Sequence, residues 1–344
     1  MKNIYKILSI LIVSISYFSI SKAQEIPSSF ADLAERLMPS VVNISTTTTV
    51  TTRSNPLPFE FPPGSPFEDM FGSPQQRQTS ALGSGFIIDE EGIVITNNHV
   101  IQGASDIFVR VNGDEDYKAE VLGADAGMDI AVLKIKSDEK FKPVKFGNSD
   151  KSRIGDWVIA IGNPFGLGGT VTAGIISARN RSIGLSRYED YIQTDASINQ
   201  GNSGGPLFNM NGDVIGINTA ILGQSGSIGI GFAIPSNSAQ KVIEQLIEFG
   251  ETKRGWLGVR IQVVDQGIAD AEKLDKPRGA LVASVADNSP SDKGGIKPGD
   301  IILEFDGKPI NEMKELPKIV AETDVGKKVI VKVWRNKREI TKEI

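Results

Sequence analysis

Short apolar runs separated by glycine, asparagine and aspartate dominate the middle of the chain: Phe86–Asp89, Ile93–Thr96, Ile107–Val111, Ala131–Ile135, Trp157–Ile161, Gly174–Ala178, Val214–Asn218 and Gly229–Ala233. Such runs, rich in β-branched side chains and closed by turn formers, predict strands. No long helical pattern lies between them, so antiparallel barrels or a sandwich are expected. Helical spacing appears only after Ser236, which is expected to cap a helix. Val242, Ile243, Leu246 and Ile247 recur on one face, and Gly250 ends it. The polar connector Glu251-Thr252-Lys253-Arg254 leads to residues 255–344, with strands predicted at Ala280–Val285, Asp300–Phe305 and Lys328–Arg335. Helical stretches near Ser289–Lys293 and Glu312–Ala321 complete a second, smaller domain.

The beginning has a different texture. Two lysines, an apolar run from Ile7 to Ile20 and then Ser21-Lys22-Ala23 follow the order of a secretory signal peptide cleaved after Ala23. At about 1.5 Å per helical residue the run spans about 21 Å, short of the ~30 Å hydrocarbon layer. Residues 1–23 are therefore expected to be a cleaved signal peptide, with an uncleaved inner-membrane anchor as the alternative, and the mature chain to occupy a bacterial periplasm. A short helix from Phe30 to Met38, capped by Ser28 or Ser29 and ended by Pro39, leads to a strand at Val41–Ser45. Thr46–Ala81, rich in Thr, Pro, Gly and Gln, reads as a long mobile loop. Its Phe59, Phe61, Phe67, Met70 and Phe71 suit contact with another subunit or a site entrance.

Composition narrows the chemistry. Among 344 residues, 42 acidic side chains against 37 basic give a formal charge of −5, and loss of Lys2, Lys6 and Lys22 with the signal peptide takes it to −8. Such a chain lacks the basic surface of a nucleic-acid binder. With no cysteine there is no disulfide, thiolate nucleophile, cysteine zinc site or iron–sulfur cluster. With one histidine, any mechanism needing two imidazoles in one chain is excluded, and histidine acid–base chemistry falls to His99.

His99 follows an apolar strand in Thr96-Asn97-Asn98-His99-Val100. Ser203 sits among glycines in Gly201-Asn202-Ser203-Gly204-Gly205, where the chain can turn tightly and aim consecutive N–H groups at one point. Gly83-Ser84-Gly85 has similar flanks and reads as an ordinary turn. A serine nucleophile needs a base, and the base needs an orienting third group. Asp129 opens the apolar run Ile130–Ile135, where a charge requires a partner. Asp125, beside Gly127, reads as a solvated loop residue, and Asp195 is the other competitor.

In sequence order, Thr96–Val100, Asp129–Leu133, Ala160–Gly166, Ile192–Ala196, Gly201–Leu207 and Gly229–Pro235 closely resemble motifs of the HtrA/Deg family of chymotrypsin-like serine endoproteases. The likeness runs from about Phe30 to the end of the chain. It implies a mainly β protein, with a two-barrel protease domain (24–250), a linker (251–254) and an α+β PDZ domain (255–344). In that family pattern Ser203 is the nucleophile, His99 the general base and then acid, and Asp129 the orienter. The N–H groups of Gly201 and Ser203 form the oxyanion hole, no metal or other cofactor takes part, and residues 46–81 stand where the family carries a regulatory loop. Ile198, Ile221 and Leu222 fall at the first substrate pocket. Trp256, Leu257, Gly258 and Val259 resemble the loop that binds a peptide's terminal carboxylate, and Arg181 falls in the sensor loop. The resemblance implies unfolded or misfolded protein substrates, peptide C-termini at the PDZ domain, and a homotrimer or a multiple of trimers. The chain departs from the best-known periplasmic members in having one PDZ domain. Either it resembles the membrane-anchored stress-sensing branch or the sequence is truncated. A peptide-activated sensor protease and an inactive holdase remain the competing functions.

Overall fold

The computed structural model describes residues 27–52, 75–113, 115–164, 168–184, 188–199, 201–221 and 227–344. The signal peptide, the five apolar residues from Phe59 to Phe71, and Leu222 fall outside them. A seven-residue helix, α1 (Ala31–Leu37), stands where one is predicted, and Ser29 Oγ accepts the Ala31 N–H at 3.1 Å in its first turn.

Six antiparallel strands close the first barrel. They are β1 (Val41–Thr52), β2 (Gln75–Ile87), β3 (Ile93–Thr96), β4 (Asp106–Val111), β5 (Glu115–Asp125) and β6 (Ile130–Ile135), in the order β1-β2-β3-β6-β5-β4. A single helical turn, α2 (Asn98–Ile101), follows β3. The expected loop at Thr46–Ala81 is strand at both ends, with Thr46 opposite Ala81 and Thr52 opposite Gln75. The threonine run explains this, because β-branched side chains favour extended backbone and the prolines begin only at Pro56. The sequence pattern also misses β5, whose Glu115, Asp116, Lys118 and Glu120 face solvent. A register shift between Val121 and Gly123 breaks its alternation further. Val42, Ile44, Ile87, Val94, Val109 and Leu133 fill the barrel interior.

The second barrel consists of β7 (Trp157–Gly162), β8 (Thr170–Arg181), β9 (Tyr191–Thr194), β10 (Pro206–Asn209), β11 (Val214–Ile221) and β12 (Gly231–Pro235), ordered β10-β11-β12-β9-β8-β7 around Val158, Ala160, Ile176, Leu207 and Ile215. Helix α3 (Ser236–Phe249) packs against β5, β6 and β11 through Val242, Ile243 and Leu246, while Ile247 is exposed. Ser236 does not cap it: Pro235 holds the cap position, and Ser236 Oγ donates to Gly147 O at 2.7 Å. Gly250 ends α3 in the left-handed region at φ 75°.

The smaller domain contains β13 (Val259–Val263), α4 (Gln266–Glu272), β14 (Ala280–Val285), α5 (Pro290–Lys293), β15 (Ile301–Phe305), β16 (Lys308–Pro309), α6 (Glu315–Ala321), β17 (Ile330–Arg335) and β18 (Arg338–Glu343). Its sheet runs β13-β14-β15-β17-β18, so among the described residues one side of β13 has no strand partner. With no cysteine for cross-links, apolar cores in each barrel and in the smaller domain hold the chain, each fully buried Val, Leu or Ile contributing about 1.5–3 kcal/mol. Among the described residues no helix is long and apolar enough to cross a membrane.

Candidate active site

The end of β3 and the turn before β6 bring His99 and Asp129 together. His99 lies on α2, and its ring Nδ1 is 2.7 Å from Asp129 Oδ2. The His99 backbone N–H donates to Asp129 Oδ1 at 2.8 Å, and Thr219 Oγ1, from β11 of the other barrel, donates to Oδ2 at 2.7 Å. Asp129 itself is in the left-handed region at φ 56°, which aspartate tolerates better than most residues. Asn97 Nδ2 donates to its carbonyl at 2.7 Å and holds that conformation. A carboxylate can only accept, so in the neutral imidazole the contact places the proton on Nδ1 and the lone pair on Nε2. With 46% of its side chain exposed, His99 can reach a substrate.

The Ser203 turn is tied to the same cluster through backbone. Ser84 N–H donates to Ser203 O at 2.9 Å, while Thr96 Oγ1, three residues before His99, donates to Ser84 O at 2.8 Å. Ser84 Oγ donates to Gly201 O at 2.5 Å and accepts from the Asn163 N–H at 2.8 Å. Gly204, at φ 84°, packs so closely that a Cβ there would meet Ser84 O and Thr96 Oγ1. Among the described residues neither the Gly201 nor the Ser203 N–H has an acceptor, and Ser203 Oγ makes no hydrogen bond. Two free N–H groups beside an uncommitted hydroxyl can serve an oxyanion and a nucleophile.

Sequence reasoning missed Ser84, Asn97 and Thr219. Asn97 is a neighbour of His99, whereas nothing local marks Thr219, 90 residues from its partner. Asp125 corrects the solvated-loop reading: it is 3% exposed and paired with Arg254 at 2.5 Å. Asp195 is exposed and accepts the Ile175 N–H at 2.7 Å. Ile198 is 1% exposed and packs within the second barrel's core, opposite Gly231. Ile221 is the last residue of β11. Arg181 ends β8, where its Nε donates to Gln193 Oε1 at 3.0 Å. In the smaller domain Trp256 is 63% exposed, Leu257 is buried, Gly258 is at φ 77° and Val259 opens β13. Among the described residues the Leu257 and Gly258 N–H groups have no acceptor. Their carbonyls accept from Ser291 and Ala286.

A family model described as a trypsin-like peptidase domain matches residues 83–217, and one described as a PDZ domain matches residues 255–344. Together with the two closed barrels, they define a serine peptidase of the trypsin-like class followed by a PDZ domain. A probable periplasmic serine endoprotease, DegP-like, from Marinomonas sp. (strain MWYL1) is 48% identical over 327 residues, 91% of this chain and 70% of the relative. The DegP-like relative from Brucella suis biovar 1 (strain 1330) is 44% identical over 343 residues, 90% of this chain and 67% of its own length. The solved structure of the HtrA-type protease AlgW with decapeptide matches with a TM-score of 0.75 at 42% identity, covering 92% of this chain and 97% of that one. The serine endoprotease from Yersinia pestis gives 0.64 at 35%, covering 93% and 98%. The chain belongs to the HtrA-type serine endoproteases.

Proposed function

We propose that the mature chain, from residue 24, is an ATP-independent endoprotease of the periplasm that hydrolyses misfolded envelope proteins. Residues 24–250 are its catalytic domain, 251–254 the connector and 255–344 the peptide-binding domain. Ser203 Oγ attacks the scissile carbonyl while His99 Nε2 takes its proton, and Asp129 holds the imidazole. The N–H groups of Gly201 and Ser203 meet the developing oxyanion, and His99 then protonates the leaving amine. Water, deprotonated by His99, hydrolyses the acyl-serine ester and restores the hydroxyl. The observation that carries this reading is the bonded cluster of His99, Asp129 and Thr219, backed onto the Ser203 turn by Thr96 and Ser84.

The free Leu257 and Gly258 N–H groups and the unpaired side of β13 suit a peptide C-terminus added as an extra strand, its carboxylate at Trp256–Val259. The relatives' names and the leader pattern support the periplasm. A trimer, or a multiple of trimers, follows the family resemblance. With no acid at Ile198, and apolar Ile221 and Leu222 in the segment that the family resemblance assigns to the first pocket, cleavage follows small or medium aliphatic residues. A cut-site profile dominated by Lys or Arg overturns that specificity.

A second reading, a sensor protease switched on by peptides, is favoured by one contact. Lys318 Nζ on α6 pairs with Asp190 Oδ2 in the loop between β8 and β9, joining the PDZ domain to the protease barrel. The AlgW structure with decapeptide belongs to a relative with such a ligand. Incubating mature protein and its Ser203→Ala form with casein, without ATP, separates the readings. Degradation by the parent alone supports quality control. Intact casein, with one substrate cut only when a peptide is added, supports the sensor, and protection of casein from aggregation without cleavage by either form supports a holdase.

A further inference from the structure

Asp125, at the end of β5, lies four residues before Asp129. Its Oδ1 accepts the Met128 N–H at 2.8 Å, which fixes the turn that delivers Asp129 at φ 56°. Its Oδ2 faces Arg254 Nη2 at 2.5 Å and accepts a hydrogen bond from Thr252 Oγ1, while Arg254 Nη1 donates to Thr252 Oγ1 at 2.8 Å. The Arg254 guanidinium also covers the Tyr188 ring, 4.7 Å from its centroid. Thr252 and Arg254 belong to the interdomain connector, and Tyr188 to the loop between β8 and β9. A buried carboxylate without its cation is strongly disfavoured, so the shape of the turn depends on where the connector places Arg254.

We infer that Asp125, held by Arg254 and Thr252, is a positioning residue for proteolysis, acting through Asp129 on the His99 ring. The contacts run from Arg254 to Asp125, to the Met128 N–H, to Asp129 and to His99 Nδ1. None of the first three touches the reacting atoms, so their loss lowers kcat and leaves KM nearly unchanged. Displacing a catalytic group by about 1 Å costs on the order of 10²-fold, so Arg254→Ala is expected to lose roughly 10- to 100-fold in kcat. The inference rests on Asp129 being the orienter of His99.

His99 is the chain's single histidine, so the proton NMR resonance of its Nδ1–H is unambiguous in untagged protein. Arg254→Ala, Arg254→Lys and Asp125→Asn are compared with the parent by kcat and KM on a small chromogenic substrate, by thermal unfolding and by that resonance. The expected result for Arg254→Ala is the kcat loss with KM within about twofold, a displaced or broadened Nδ1–H resonance, and partial recovery in Arg254→Lys. A folded Arg254→Ala with parental kcat and an unmoved resonance overturns the inference, even if its Tm is lower, because the cluster then only fastens the connector. If Arg254→Ala does not fold, Thr252→Val, which removes one hydroxyl, is read by the same two criteria. Full activity in Asp129→Asn is a different failure, that of the catalytic assignment beneath the inference.

Discussion

Ser84 and Ser203 both sit beside glycines, yet their hydroxyls have opposite fates. Ser84 is fully buried, and its N–H, carbonyl and hydroxyl are all bonded, to Ser203 O, Thr96 Oγ1, Gly201 O and the Asn163 N–H. Ser203 is half-buried, and its hydroxyl bonds to none of the described residues. A hydroxyl already committed to two backbone groups is a strut, whereas a nucleophile needs its lone pair and proton free for substrate and base. The two turns also depend on each other, because the strut grips Gly201, half of the proposed oxyanion pair.

The largest effect that can break this contrast is on turnover. Ser203→Ala and His99→Ala are each expected to lower kcat by roughly 10⁶, because members of a catalytic triad act as a unit. Ser84→Ala removes no reacting atom and is expected to lose no more than about 10²-fold, through a looser oxyanion turn. Rates on a chromogenic peptide distinguish the two. A folded Ser84→Ala as inactive as Ser203→Ala makes the strut assignment wrong.

Next comes the carboxylate. Asp129→Asn is expected to cost about 10⁴ in kcat, because an amide in place of the acceptor selects the wrong imidazole tautomer. Asp195→Asn, at an exposed position that among the described residues accepts only the Ile175 N–H, is expected to keep parental turnover. The reverse pattern in those two rates would move the orienting role to Asp195.

The runs that hold His99, Asp129 and Ser203 stand out in the sequence because their neighbours also match, and the barrel strands were legible because β-branched runs stop at turn residues. What stayed hidden was whatever arrives from elsewhere in the chain. Asp125 beside Gly127 reads as solvated until Thr252 and Arg254, more than 120 residues later, close over it. Thr219 reaches Asp129 from the second barrel, and what separates Ser84 from Ser203 is its burial and the groups from other strands that bond to it. Local pattern reports periodicity and turn chemistry. It does not report the partner across a barrel interface, and it underreads a strand such as β5 whose outer face is charged.

A smaller effect concerns the PDZ domain. Free peptides with apolar C-terminal residues are expected to raise cleavage of a substrate that needs no tethering by about 5- to 150-fold, the range of coupling energies of about 1–3 kcal/mol. The proposed route is the Lys318–Asp190 pair and the loop that Glu189 organises by accepting from Ser182 Oγ and the Ile183 and Gly184 N–H groups, with Arg181 at its base. Lys318→Ala should change the peptide response, and Arg181→Ala should blunt it. Flat rates while the peptides bind would mean that the domain only tethers substrate, and an undiminished response in Arg181→Ala would remove that residue from the route.

The smallest effect reverses the first. Ser84→Ala leaves a buried Asn163 N–H and Gly201 carbonyl without the partner they share, a loss of about 1–3 kcal/mol. At roughly 2–4 °C per kcal/mol for a domain of this size, Tm falls by several degrees. Ser203→Ala removes a hydroxyl bonded to no described residue, so its Tm is expected to stay within the ~0.5 kcal/mol scatter of substitutions that break no contact. Calorimetry on the two variants thus reads the opposite order from kinetics, with the inactive protein stable and the active one weakened. Equal Tm values for Ser84→Ala and the parent would mean that water replaces the hydroxyl at both backbone groups, and the strut would then be no more than a preference of geometry.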